Sequence, residues 1–190
     1  MISRANSDSL PTRRKVLVAG TLLVVSPAVA VAASRAELDR DGPASLQRLY
    51  AASPKAAELG SKARAVLVFP QIVKAGFMVG GQNGSGVLLQ KGRPIGYYRI
   101  SAGSFGFQAG AQTFSYALFF MTADSLAYLK KSDGWAIGSG PSVVVVDKGM
   151  AASMNTTTLS QAVYAMPYGQ KGLMGGIGLE GSKITPIHPS

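Results

Sequence analysis

The stretch FMVGGQNGSGVLL, residues 77–89, places four glycines and one asparagine between two apolar runs. An Asn-Gly pair flanked by apolar runs is a strong short-range signal for a β-hairpin. Asn83–Gly84 therefore predicts a tight turn between two strands, while Gly80, Gly81 and Gly86 favour bulges and close backbone approach. The N–H groups of such a turn could also form a nest that binds an anion.

The same glycines do not fit either common nucleotide-binding motif. A phosphate-binding P-loop requires Lys and Ser or Thr after its second glycine, but Val87 and Leu88 follow Gly86. The dinucleotide fingerprint G-x-G-x-x-G lies between a strand and a helix, whereas the order here is G-x-x-G-x-G and a strand follows. The stretch is therefore predicted to be structural.

The surrounding pattern predicts an α+β fold with a small, mostly antiparallel β-barrel core. Large and small residues alternate in SFGFQAGAQTFSYALFFM, residues 104–121, which suits a strand curling around a closed sheet. KGRP at residues 91–94 predicts a further turn, and about seven or eight strands are expected. About three helices should pack on the surface, starting near Asp41–Pro43, at Ser53–Pro54 and near Thr122.

Residues 1–33 have the features of an export signal. A basic start precedes an uncharged apolar stretch from Val16 to Ala33, with small residues at its end. Arg13–Arg14 resembles a twin-arginine signal, although an ordinary secretory signal or a retained N-terminal anchor also fits. The expected organisation is a signal or anchor at 1–33 and one domain at 34–190, exported to the periplasm or cell envelope.

The residues that usually carry catalysis are scarce. The chain has no cysteine, and its one histidine, His188, lies near the C-terminus. No catalytic residue, metal site or cofactor is therefore predicted, and the chain is expected not to be an enzyme. A hydrolase would require Asp124, Asp133 and Asp147 to converge.

Three blocks together resemble the SYLF lipid-binding family: ARAVLVFPQIVKAGFMVGGQNGSGVLL, SFGFQAGAQ and KGLMGGIGLEGSKI. The resemblance covers about residues 41–184 and implies a β-barrel core, helices on its surface, and no enzymatic reaction. It also implies binding of phosphoinositides or other anionic lipids, and kinship with bacterial envelope-integrity domains. The segment 43–64, which would contact the membrane, is rich in alanine and lacks a large apolar face, so deep insertion is not expected.

The charge agrees with an anionic membrane surface as the partner. The chain carries +10, and about +7 of this remains after the first 33 residues. An exported protein meets no genome, so a nucleic-acid partner is not expected; solubility alone is the other explanation of the charge. The predicted lipid-binding cations flank the first strand, occupy a turn or end a helix: Lys55, Lys62, Arg64, Lys74, Lys91, Arg93, Lys130 and Lys131.

Trp135, in the loop SDGWAIGSG, has two interpretations. Tryptophan is favoured at membrane interfaces, so the side chain could insert there, or it could fill the barrel core. The alternative function is an envelope-integrity scaffold that binds a protein partner. The sequence leaves the oligomeric state open.

Overall fold

The computed structural model describes residues 33–147, 150–151, 160–172, 179 and 181–190. The predicted export signal or anchor therefore lies outside the described residues, apart from Ala33. The described residues belong to one compact unit, Ala32–Ser190. Because this unit contains the two buried clusters found among the described residues, we expect residues 34–190 to fold without the preceding segment.

Three described helices begin at clear capping residues. Their bounds are α1 Arg35–Ala52, α2 Pro54–Lys62 and α3 Ala123–Lys131. Ser34 and Glu37 form a capping box at α1. Ser53 caps α2, and Thr122 accepts a hydrogen bond from the backbone N–H of Ser125 in α3.

The start predicted for the first helix at Asp41–Pro43 is wrong. α1 begins six residues earlier, at Arg35, and Pro43 lies inside it. The capping box at Ser34 supplies the start signal, and Leu38 in the first turns is buried, so packing stabilises the early part of this helix.

The described strands form one curled sheet. They are β1 Ala65–Gln90, β2 Arg93–Phe120, β3 Trp135–Ala136, β4 Val143–Val145, β5 Val163–Gly172 and β6 Lys183–Ile187. The order is β3-β6-β2-β5-β4, with β1 paired to β2, and every pair is antiparallel except β4–β5. The α+β class with a mostly antiparallel, barrel-like sheet is therefore confirmed, but two very long strands replace several of the short ones expected.

The hairpin turn lies at Lys91–Gly92 and not at Asn83–Gly84. Lys91 and Gly92 have φ angles of 51° and 76°, which suit a two-residue turn between twisted strands. Asn83 and Gly84 are inside β1, opposite Ser101 and Ile100. The turn and the anion-binding nest predicted at residues 83–84 are thus both wrong, while the turn predicted at KGRP is confirmed.

The glycines of β1 instead allow the strand to pass close to itself. A β carbon on Gly84 would lie 2.7 Å from the carbonyl oxygen of Gln71, and one on Gly86 would lie 2.5 Å from that of Val68. Register shifts between Phe69 and Ile72 and between Gly76 and Met78 bend the strand between these positions. The two halves of β1 therefore approach each other closely at these positions, which confirms the close approach predicted at Gly86.

Side chains that alternate along the strands belong to two different buried clusters. The inner cluster includes Leu67, Phe69, Ile100, Tyr116 and Leu118, together with residues of α3. The outer cluster lies under α1 and α2 and includes Val66, Val68, Ala117, Phe119 and Tyr164. Both faces of the sheet are thus covered along much of its length. Among the described helices, none has the length and apolarity required to cross a bilayer.

Candidate functional site

A cleft of about 1240 Å³ opens between the first two helices and the bent part of the sheet. The chain irregularities at Pro70–Gln71 and Ser115 lie on its wall, where the β1–β2 and β2–β5 registers shift. The Ser115 hydroxyl donates a 2.7 Å hydrogen bond to the Pro70 carbonyl oxygen and joins the two bends. The cleft therefore exists because the strands bulge at this point and separate from α1 and α2.

The wall of the cleft combines apolar surface with both signs of charge. Its apolar residues include Leu49, Phe114, Val146, Met166 and Pro167. Its charged residues are Arg48, Lys55, Glu58, Asp147 and Lys171. Such a mixture suits a ligand that is itself amphipathic.

The two carboxylates of the cleft are already engaged within the protein. Glu58 receives hydrogen bonds from Lys55 at 2.7 Å and from Lys62 at 2.8 Å. Asp147 accepts a 2.7 Å hydrogen bond from the backbone N–H of Met150. Arg48 and Lys171 form no ion pair with any carboxylate in the described part of the chain. Their positive charges are the ones left available in the cleft.

Tyr168 lines the cleft as a neutral side chain, and Tyr50 is a second neutral tyrosine nearby in sequence to its α1 wall. The hydroxyl oxygens of Tyr168 and Ser45 lie 2.8 Å apart and share a hydrogen bond. Burial raises the pKa of Tyr168, and it also raises the pKa of Tyr50, which packs beside α2. Both side chains therefore stay uncharged at neutral pH and do not offset the charges of Arg48 and Lys171.

We predict a low pKa for Glu58 that depends on its two lysines. The hydrogen bonds from Lys55 and Lys62 lower the pKa of this carboxyl to about 2. Because the folded pKa lies below the ordinary value of 4.5, the stabilisation is complete above that value and is lost as the pH falls towards 2. Carboxyl-detected NMR titration should show this pKa, and Lys62→Met should raise it. An unshifted Glu58 pKa in the wild type would contradict the bridge.

The structure brings only part of the predicted cations together. Lys55 and Lys62 share Glu58, and of the predicted set Lys55 alone lines the cleft. Arg64 precedes β1, and Lys91 and Arg93 lie at the other end of that strand.

The remaining predicted cations lie elsewhere. Lys130 and Lys131 are exposed in the last turn of α3, where their charges favour the helix dipole. Lys74 is half-buried within β1, in register with Gln112. The predicted set therefore occupies several separate regions of the described structure.

Trp135 lies in the inner cluster and not at the surface. Its side chain is 1% exposed, and its indole N–H donates a 2.7 Å hydrogen bond to the carbonyl oxygen of Ser139. The rings of Phe120 and Tyr128 lie 6.1 and 6.3 Å from it, centre to centre. The structure thus places Trp135 where the core interpretation expects it, and the insertion interpretation is wrong for this conformation.

Sequence reasoning missed four cations that the fold makes prominent. Arg48 and Lys171 line the cleft, and Arg99 and Lys183 lie on one face of the β2–β6 pair. Arg48 directly precedes the buried Leu49 in α1. The local sequence pattern does not show that Arg48 lines a cleft while Arg40 does not. Lys171 could not be connected to Arg48 without the pairing of β5 with β2.

The carboxylates of the described residues mostly contact other groups of the protein, whereas most of the cations form no ion pair. Within the described residues, five carboxylates contact groups of the protein: Glu37, Asp39, Asp41, Glu58 and Asp147. Nine cations there form no ion pair with a described carboxylate: Arg48, Arg64, Lys91, Arg93, Arg99, Lys130, Lys131, Lys171 and Lys183. The described structure therefore presents an excess of positive charge that its own acids do not neutralise.

Comparison with known proteins agrees with the sequence resemblance. Residues 101–188 match the sequence model of the Ysc84 family, described as "Las17-binding protein actin regulator". A search of curated proteins gave no match. The matched segment contains most of β2 and all of β3, β4, β5 and β6. This match supports the SYLF assignment for residues 101–188, the part of the chain that it covers.

Proposed function

We propose that this protein binds anionic phospholipids at a membrane surface, as a non-enzymatic module. The observation that carries the proposal is the set of nine cations without an ion pair among the described residues. A basic side chain near an anionic bilayer contributes about 1 kcal/mol, so four or five of them give weak but usable attachment. Screening over about 10 Å at 0.1 M salt makes this attachment sensitive to ionic strength.

The exposed turn between β1 and β2 is the proposed main contact. Lys91 and Arg93 flank Gly92 in the turn, and residues 91–95 are all exposed. The arginine can hold a phosphate through two parallel hydrogen bonds, while the lysine acts as a mobile point charge.

A sedimentation experiment tests the proposal. Residues 34–190 are mixed at low salt with vesicles of phosphatidylcholine alone or with added phosphatidylglycerol. The protein should sediment with the anionic vesicles and remain in solution with the neutral ones. Equal sedimentation with both would contradict a mechanism based on charge.

We expect Lys91→Gln combined with Arg93→Gln to weaken vesicle binding by about 30-fold, because two contacts of about 1 kcal/mol are lost. The matched control is Arg35→Gln combined with Arg40→Gln, which removes the same charge from side chains already paired with Asp39 and Asp41. The control should bind within a few-fold of the wild type. If both pairs weaken binding equally, net charge and not this turn determines attachment.

Export to the bacterial cell envelope is the proposed location. The features of residues 1–33 support it, because a basic start and an apolar stretch are typical of export signals. In that location the ligand would be an acidic phospholipid of the envelope membranes. Mass analysis of the protein purified from its own envelope fraction would show whether the N-terminal segment is removed or retained.

A protein partner is the second candidate function. The description of the Ysc84 family names a protein, Las17, as what its members bind. An envelope scaffold acting through a protein partner should retain that partner in high salt and mild detergent. Lipid attachment through charge should not survive either condition.

A further inference from the structure

We infer that the cleft holds a single anionic phospholipid molecule, with an acyl chain against its apolar wall and the phosphate between Arg48 and Lys171. The inference rests on the proposed function and deepens it, because it adds a one-to-one site to attachment at the bilayer surface. It follows from the volume, lining and charge of the cleft.

The size of the cleft favours a large ligand. Pockets that enclose small molecules measure roughly 300–1,000 Å³, and this cleft measures about 1240 Å³. Ala52, Pro54 and Pro167 contribute partly or fully exposed apolar surface to its wall, together with the buried side chains of Leu49 and Met166. Contact with a hydrocarbon chain would remove this apolar surface from water, which is favourable in proportion to the area covered.

The charges of the cleft select an anionic headgroup. Glu58 is neutralised by Lys55 and Lys62, and the Asp147 carboxylate is engaged with the backbone of Met150. Arg48 and Lys171 form no ion pair with a described carboxylate, and the three cations and two carboxylates that line the cleft leave it with a net charge of +1. A phosphate diester can accept hydrogen bonds from both of them, and the neutral Ser45–Tyr168 pair adds hydroxyl groups to the wall. A fatty acyl chain joined to a phosphate is the ligand class that satisfies both parts.

The two alanines at the end of α1 offer a matched test. Ala52 lines the cleft, whereas Ala51 does not, and both are exposed. Ala52→Trp should fill the cleft without changing charge, and Ala51→Trp should place the same bulk outside it. Thermal denaturation of both variants should show that each one folds.

The probe is phosphatidylglycerol with a nitrobenzoxadiazole group at the end of one acyl chain, added as monomers to the full-length chain. Wild type and Ala51→Trp should saturate at one probe per chain with a rise in fluorescence. Ala52→Trp should weaken probe binding tenfold or more. Unchanged binding by Ala52→Trp, or a stoichiometry well above one, would overturn the inference.

Two further measurements separate this site from surface attachment. Ala52→Trp should still sediment with anionic vesicles as the wild type does. A wild-type protein that does not sediment with anionic vesicles would instead overturn the proposed function. Arg48→Gln combined with Lys171→Gln should abolish the preference for the phosphatidylglycerol probe over its phosphatidylcholine counterpart. Complete displacement of the probe by millimolar glycerol phosphate would overturn the role of the apolar wall and leave an anion site only.

Discussion

Trp135→Ala is expected to lower the free energy of unfolding by about 3–5 kcal/mol, the cost of removing a large buried aromatic side chain. The indole packs beside Phe120 and Tyr128 and is 1% exposed, so its loss leaves a cavity in the inner cluster. The hydrogen bond to the Ser139 carbonyl oxygen is lost as well. Urea denaturation followed by circular dichroism measures the effect.

Trp135→Phe is the matched control for this substitution. It preserves most of the aromatic volume and removes the indole N–H, so its cost should be clearly smaller. A tryptophan that serves as a membrane anchor would give the opposite pattern: nearly unchanged stability of Trp135→Ala in solution and reduced sedimentation with vesicles. That pattern would contradict the position of Trp135 in the core.

Gly84→Ala is expected to destabilise the fold by about 2–3 kcal/mol through overpacking. The added methyl group would lie 2.7 Å from the Gln71 carbonyl oxygen and 3.1 Å from the Ile72 α carbon. These are backbone atoms, which cannot rotate away, so the two halves of β1 would have to separate. Urea denaturation of the variant again provides the measurement.

Gly103→Ala is the control for the glycine prediction. Gly103 lies in β2 opposite Gly81, and a β carbon there would meet no atom within 4 Å. Alanine should be neutral or slightly stabilising at this position, because glycine loses more conformational entropy on folding. Equal costs at Gly84 and Gly103 would show that the close approach within β1 does not support the curled sheet.

Helix starts and turns that depend on a few adjacent residues could be predicted from the sequence. The start of α2 at Ser53–Pro54 follows from capping chemistry, as does the cap of α3 at Thr122. The turn at Lys91–Gly92 was also predictable, and so was the α+β class. Each of these depends on a few adjacent residues.

The features that depend on distant contacts were not predictable in the same way. Asn83–Gly84 carries a hairpin signal, yet Gly84 is required where β1 passes Gln71, thirteen residues earlier in the chain. The glycine is therefore explained by tertiary packing and not by a turn. Similarly, the capping box at Ser34 and burial of Leu38 extend α1 ahead of Pro43, whose local effect alone favours a helix start.

The candidate site shows the same division. The excess of positive charge was visible in the sequence, and Lys55 was identified as part of it. Arg48 and Lys171 line the same cleft only because α1 and β5 lie close together near the bulge at Ser115. Charge composition therefore led to the proposal of an anionic ligand, while the position of the cleft depended on the way in which the long strands bend.

The ionic-strength dependence of vesicle binding tests the central claim most directly. The claim is that cations left unpaired by the fold attach this protein to anionic lipid. Partition of residues 34–190 onto phosphatidylglycerol vesicles should fall steeply between 0.05 and 0.5 M salt, values chosen because the screening length shrinks from above about 10 Å to a few Å over that range. Binding that stays constant across the series, or that is equally strong on neutral vesicles, would contradict the account.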